Sequence, residues 1–398
     1  MPRANRTDAC PACEGTDLTT FHTQQGIPTN SCLLVDTEQA ALGFPRGDIE
    51  LVLCADCGFI FNALFDPSLA EYSDNYEETQ GFSPRFMEFA NDLASAWVSR
   101  YALAGRTVLE IGCGKGEFLS LMAEKGVAKG IGIDPGVDPS RIDGAGAEKC
   151  VWIADYFDSE LVADLGAELE ADAIVCRHTL EHIQPVGEFL DSIRGFIGDR
   201  SDMPVLFELP DTKRVLDEVA FWDIYYEHCS YFSAGSLIRL FQSHGFEVLN
   251  VSLGYDDQYI LLEARPAAVP DSGPQSVADI GDLRAGVTHF AEGFSATVES
   301  WRTRLAAIRA GGGKSVIWGS GSKGVSFLSI VGDQVDAAVD INPHKHGRFM
   351  AGTGHRICSP SELAAIDPEL IMAMNPVYLA EIQQELDRLG LEGELVAL

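Results

Sequence analysis

The chain has 398 residues, too many for one comfortable hydrophobic core, so two or three domains are expected, and its 46% apolar content is ample to bury each of them. No run of eighteen apolar residues occurs, and the basic start Met1-Pro2-Arg3-Ala4-Asn5-Arg6 has no apolar core or cleavage site; this argues against a membrane span or secretory signal and predicts a cytoplasmic protein. With 60 acidic against 28 basic residues the formal charge is −32, a surface that repels phosphate backbones and argues against a nucleic-acid partner.

Four of the ten cysteines come as two C-x-x-C pairs, Cys10-Pro-Ala-Cys13 and Cys54-Ala-Asp-Cys57, in a first module predicted over 1–70. Thiolates at i and i+3 of a tight turn converge on one metal, so the four residues predict a closed, structural zinc site with no open position for chemistry. Cys32 falls between the pairs as a spare thiol, and the remaining cysteines are scattered as small buried hydrophobes.

From 71 to 265 short β-branched runs alternate with amphipathic stretches, which predicts an α/β domain with a doubly wound parallel sheet. Candidate strands are Thr107 to Ile111, Gly130 to Ile133, Ala173 to Cys176 and Val205 to Glu208, with a terminal pair near Glu247 to Ser252 and Tyr259 to Glu263. The first strand runs into Glu110-Ile-Gly112-Cys-Gly114-Lys-Gly116, where the glycines let a ligand approach the backbone. Its spacing differs from the G-x-G-x-x-G of dinucleotide enzymes. Asp134 ends the second strand, Asp155 and Tyr156 follow the third, and His178-Thr-Leu-Glu-His182 follows the fourth.

Tyr225-Tyr226-Glu227-His228 crowds an aromatic hydroxyl, a carboxylate and an imidazole into four residues. Histidine titrates nearest working pH and can act as a general base, with a neighbouring Glu to orient or charge-balance it. An aromatic core strand with satisfied polar tips is the alternative. Beyond it, Arg265 to Gln275 reads as a proline-bearing linker and about Ile280 to Ala310 as a long amphipathic helix, both within 266–312. The last module, 313–398, repeats the opening logic: strand Ser315 to Trp318, the turn Gly319-Ser-Gly321-Ser-Lys-Gly324, an acidic strand end at Asp340, and a helix near Leu379 to Leu389. Taken alone, that turn fits either a nicotinamide cofactor or a structural bend. Lys323 and Lys345 are candidate phosphate contacts, with solvated surface lysines as the alternative.

The Glu110–Gly116 pattern resembles the S-adenosylmethionine loop of class I methyltransferases. That resemblance implies that Asp134 holds the ribose hydroxyls, Asp155 and Tyr156 flank the adenine, and His178 lines the cofactor. Together with the paired C-x-x-C, the segments Tyr225-x-Glu227-His228 and Asp340-x-x-Pro343-x-Lys345-x-Gly347 resemble one family along nearly the whole chain. These are the three-part C-methyltransferases of deoxysugar biosynthesis, with a zinc module, a Rossmann-like class I methyltransferase domain and a Rossmann-like C-terminal substrate domain. The resemblance implies that His228 is the base, that Tyr225, Glu227 and Tyr76 stand nearby, and that Lys323, Lys345 and Asn375 contact a nucleotide sugar. Tyr226 is expected near the acceptor. O- or N-methylation of another small metabolite is the alternative activity.

Overall fold

The computed structural model describes residues 6–70, 76–142, 144–267 and 279–398. From 268 onward the expected linker lies outside the described residues. In the first module β1 (Leu18–Pro28), β2 (Arg46–Cys54) and β3 (Ile60–Asn62) form an antiparallel meander. Its fourth strand comes from far along the chain: Ser230–Tyr231 pairs antiparallel with Ile60 and Phe61. From Ile49 on, β2 is buried on both faces. Val52, Cys54 and Phe61 enter one core shared with the middle domain, whereas Ile49, Leu51, Leu53 and Ile60 enter a second core shared with the long helix and the C-terminal module. Side chains of a strand alternate sides, so this slab is a common wall between two cores. The zinc module is thus integrated with the rest of the chain.

The middle domain contributes β4 (Thr107–Ile111), β5 (Lys129–Ile133), β6 (Cys150–Ile153), β7 (Ala173–Arg177) and β8 (Val205–Pro210), the donated β9 (Ser230–Tyr231), then β10 (Phe246–Gly254) and β11 (Tyr259–Pro266). The seven-stranded sheet has the order β10-β11-β8-β7-β4-β5-β6. It is not wholly parallel as expected. The four residues 255–258 are too short for a crossover, so β10 and β11 form a hairpin, and β11 runs against β8. The strand order reverses beside β4, so the crevice at the strand ends opens above the glycine turn.

The helix Ile280–Ala310 forms as expected and buries Leu283, Val287 and Phe290 at helical spacing. The C-terminal module is a five-stranded parallel sheet, β14 (Ile357–Cys358), β13 (Ala337–Val339), β12 (Ser315–Trp318), β15 (Leu370–Ala373) and β16 (Glu394–Ala397) in spatial order. Among the described residues no helix is long and apolar enough to cross a membrane.

Candidate active site and metal centre

The strand ends of the middle and C-terminal sheets and the segment around Tyr76 enclose a cavity of about 1300 Å³. Its middle-domain wall is the turn after β4. Gly112 and Gly114 have φ of 71° and 50°, in the left-handed region. A Cβ on Gly112 would strike the Thr179 hydroxyl, and one on Gly114 would sit 2.7 Å from Glu78 Oε1. Gly116, φ 70°, caps the helix Glu117–Glu124 and lies outside the cavity lining. Asp134, at the tip of β5, accepts from the Gly114 N–H at 3.0 Å and the Gly136 N–H at 2.7 Å, which ties the turn to the neighbouring strand. Asp155 and Tyr156 line the cavity, and Tyr156 is largely exposed.

Glu110 is buried in β4, and its Oε2 has no hydrogen-bond partner among the described residues. Burial pushes its carboxyl up to about 8. An orphaned oxygen beneath an open glycine turn, with a carboxylate at the next strand tip, fits a ligand carrying ribose and ammonium groups. His178 has φ 49°, and its Nε2 lies 2.9 Å from Glu208 Oε1. Burial opposes its charge, but Glu208 and Glu181 raise it to about 9. Arg177 braces the same carboxylate at 2.7 and 3.2 Å.

Tyr225 and His228 face the cavity from a buried segment between the turn Phe221–Asp223 and β9. The His228 ring lies 4.2 Å from that of Tyr225 and 4.7 Å from that of His182. Burial, with His182 and His178 nearby, holds His228 well below the usual histidine range. His182 Nδ1 is 3.1 Å from the Glu227 carbonyl oxygen. Tyr76 bridges to Leu33 and lines the cavity.

Glu227 departs from its expected orientation. Its carboxylate accepts from the Ser31 N–H at 2.9 Å and from the Ser31 hydroxyl, and it does not line the cavity. Tyr226 and Glu227 form a turn, and from it the Glu227 side chain leaves toward Ser31 while His228 faces the cavity. Tyr226, expected near the acceptor, does not line the cavity either. Fully buried, it packs against Phe65, and its hydroxyl takes the Asp66 N–H at 2.8 Å.

The two lysines are on the cavity wall and are not solvated surface groups. Lys323 pairs with Asp223 at 3.0 Å, and Lys345 Nζ is 3.8 Å from Asp340. Asn375 and Gln258 exchange amide hydrogen bonds at 3.0 and 2.9 Å. Asp340 spends its carboxylate on the Ser320 N–H and hydroxyl and on the Asn342 N–H, so the Gly319 turn closes on itself. Sequence reasoning missed Glu77, which is fully buried and joins Arg141 of the middle domain at 2.7 Å to Asn342 of the C-terminal module at 3.0 Å.

In the first module the Sγ atoms of Cys10, Cys13, Cys54 and Cys57 lie within 4.8 Å of one another, with Cys10–Cys57 and Cys13–Cys54 both at 3.6 Å. Zinc–sulfur bonds of about 2.3 Å in a tetrahedron set sulfurs about 3.8 Å apart, so the four thiolates fit a structural zinc ion.

These features together define a class I S-adenosylmethionine-dependent methyltransferase. A family model described as a methyltransferase domain matches residues 85–251, and one described as a C-methyltransferase C-terminal domain matches 282–397. C-methyltransferase NovU of Streptomyces niveus is 25% identical over 396 residues, 94% of this chain and 91% of its own. The chain is thus a methyltransferase similar along nearly its whole length to a C-methyltransferase, and its last module matches a C-methyltransferase C-terminal domain. Ribosomal protein L11 methyltransferase of Escherichia coli is 28% identical over only 34% of this chain and 43% of its own. A Burkholderia thailandensis 1,6-didemethyltoxoflavin-N1-methyltransferase crystallised with S-adenosylhomocysteine is 16% identical, covers 46% of this chain and 81% of its own, and superposes with a TM-score of 0.34.

Proposed function

We propose that the enzyme methylates the carbon beside the ketone of a nucleotide-linked keto-deoxysugar, with His228 as the general base. The observation that carries this reading is that Tyr225 and His228 share one cavity with the Glu110–Gly114 turn and with Lys323 and Lys345. Bound S-adenosylmethionine supplies an electrophilic methyl group on a sulfonium. His228, kept neutral by its surroundings, offers a lone pair to the acidic C–H. Tyr225, whose hydroxyl burial keeps protonated, and Tyr76 are the donors for the enolate oxygen. Holding the carbanion in line with the methyl group supplies the entropic share of the acceleration.

Among the cations that line the cavity, these two lysines are the ones offered to a diphosphate. Each is held by one carboxylate, Lys323 by Asp223 and Lys345 by Asp340, and each can also donate to an incoming anion. Asn375, with one amide hydrogen already given to Gln258, has a second to offer. On the cofactor side, Asp134 receives the ribose hydroxyls, Glu110 and the glycine turn the amino-acid end, Asp155 and Tyr156 the adenine, and His178 lines the junction.

The test is methyl transfer from labelled S-adenosylmethionine to a panel of nucleotide-linked 4-keto-6-deoxyhexoses. A new carbon-bound methyl signal in the product, absent with His228→Gln, is expected. Transfer to none of the panel, or transfer surviving His228→Gln, would reject the reading.

A further inference from the structure

Of the two nearby carboxylates, Glu227 gives one oxygen to Ser31 and its other oxygen has no hydrogen-bond partner among the described residues, and it is Glu181 that groups with the imidazole pair His182–His228. The carboxylate that reaches the pair comes from the turn after β7. Glu181 is 2% exposed, and one of its oxygens and one ring nitrogen from each of His182 and His228 lie within 4.8 Å of one another. Neither Glu181 oxygen meets hydrogen-bond geometry with any described residue, and His178 Nδ1 is 3.5 Å from Oε1 on its other side. We propose that Glu181 is the positioning residue of the base: its carboxylate orients the His182–His228 pair and balances the charge the pair gains when it takes the substrate proton. This rests on the reading of His228 as the base.

A buried carboxylate with unused lone pairs is costly, and a proton arriving on an adjacent imidazole relieves that cost. The structure thus contains an acceptor site that becomes electrostatically better satisfied after deprotonating its substrate. His178 alone does not satisfy Glu181, because it shares its charge with Glu208 at a shorter distance. The other groups facing this cluster are the thiols of Cys176 and Cys229, the hydroxyls of Tyr225 and Tyr231, and the Glu227 carbonyl, which receives His182 Nδ1. The Asp134 carboxylate also acts on His182, but less than Glu181 does. Burial lowers His182, and Glu181 is the strongest influence opposing it. At ring separations of 4.7 Å the two histidines titrate as a coupled pair, so what Glu181 does for one it does for the other.

The experiment is an NMR titration of ring carbons in histidine-labelled, zinc-loaded protein saturated with S-adenosylhomocysteine, comparing the parent with Glu181→Gln, Glu181→Asp and Glu227→Gln. The first protonation of the pair is expected to fall by about one to three pH units in Glu181→Gln, to recover partly in Glu181→Asp, and to stay near the parent in Glu227→Gln. An unchanged midpoint in both Glu181 variants, or a larger shift in Glu227→Gln, would overturn the proposal. If Glu181→Gln does not fold, the Glu181→Asp midpoint decides in the same way. The titration needs no substrate, so it is independent of whether His228→Gln abolishes methyl transfer; a shifted pair in an enzyme that tolerates His228→Gln would sink the base assignment alone.

Discussion

The carboxylate of Glu227 binds the backbone N–H and the hydroxyl of Ser31, a residue 196 positions earlier in the chain. A carboxylate beside a histidine in sequence is here a fastener between the first module and the segment that carries His228. Glu227→Ala leaves the buried Ser31 N–H without its acceptor, at a cost of about 1–3 kcal/mol. Glu227→Gln keeps an amide oxygen in the same place and is expected to unfold close to the parent in a urea titration. Equal losses in both variants would mean that the charge itself matters there.

Glu110 carries a pH signature. Its folded value, pushed up to about 8 by burial with Arg177 opposing, lies above the usual 4.5 of a free glutamate. The unfolded chain therefore releases this proton first, so Glu110's stabilising contribution is complete below 4.5 and is lost as pH rises toward 8. Unfolding free energy of the ligand-free protein should fall less steeply over that window in Glu110→Gln than in the parent. Parallel curves from denaturant titrations at several pH values would contradict this.

Zinc removal should act on catalysis through the shared sheet. Cys54 ends β2, which pairs with β3, and β3 pairs with Ser230–Tyr231, two residues beyond His228. The Cys54→Ser variant is expected to lose its zinc by elemental analysis and to lose methyl transfer by at least about tenfold, because structural zinc supplies folding free energy to such modules. β4 and β5 belong to the other sheet, so calorimetry with S-adenosylhomocysteine should show the smaller change.

Much of this was legible in the chain because some signals are local. The C-x-x-C spacing, the glycine turn after β4 and the acid at the next strand tip are each set by a few neighbouring residues, and the strands Thr107–Ile111 and Ser315–Trp318 formed as read. What was not legible depends on partners distant in sequence. Nothing around Ser230 announces that it pairs with Phe61, and nothing around Lys323 announces Asp223, so a lysine equally compatible with solvent is found in a partly buried ion pair. The partner of Glu227 was hidden for the same reason. Adjacency in sequence says nothing of Ser31, which holds the Glu227 carboxylate from the first module.

Glu77 ties the middle domain to the C-terminal module through Arg141 and Asn342. Glu77→Ala removes a buried carboxylate and leaves a guanidinium that is about a quarter exposed, so water recovers part of the loss. A destabilisation of about 1–3 kcal/mol is expected, together with a raised KM for the acceptor and little change in S-adenosylhomocysteine affinity. An unaltered KM would show that the two walls stay aligned without this clamp.

Carbon deprotonation by His228 is measured most directly by exchange of substrate C–H for solvent deuterium. Enzyme loaded with S-adenosylhomocysteine cannot transfer a methyl group, so any deuterium entering a nucleotide-linked 4-keto-6-deoxyhexose beside its ketone reports deprotonation alone. Exchange catalysed by the parent and reduced by about a hundredfold or more in His228→Gln is the predicted result. Exchange at the same rate in His228→Gln, with the variant folded and still binding S-adenosylhomocysteine, would contradict the account.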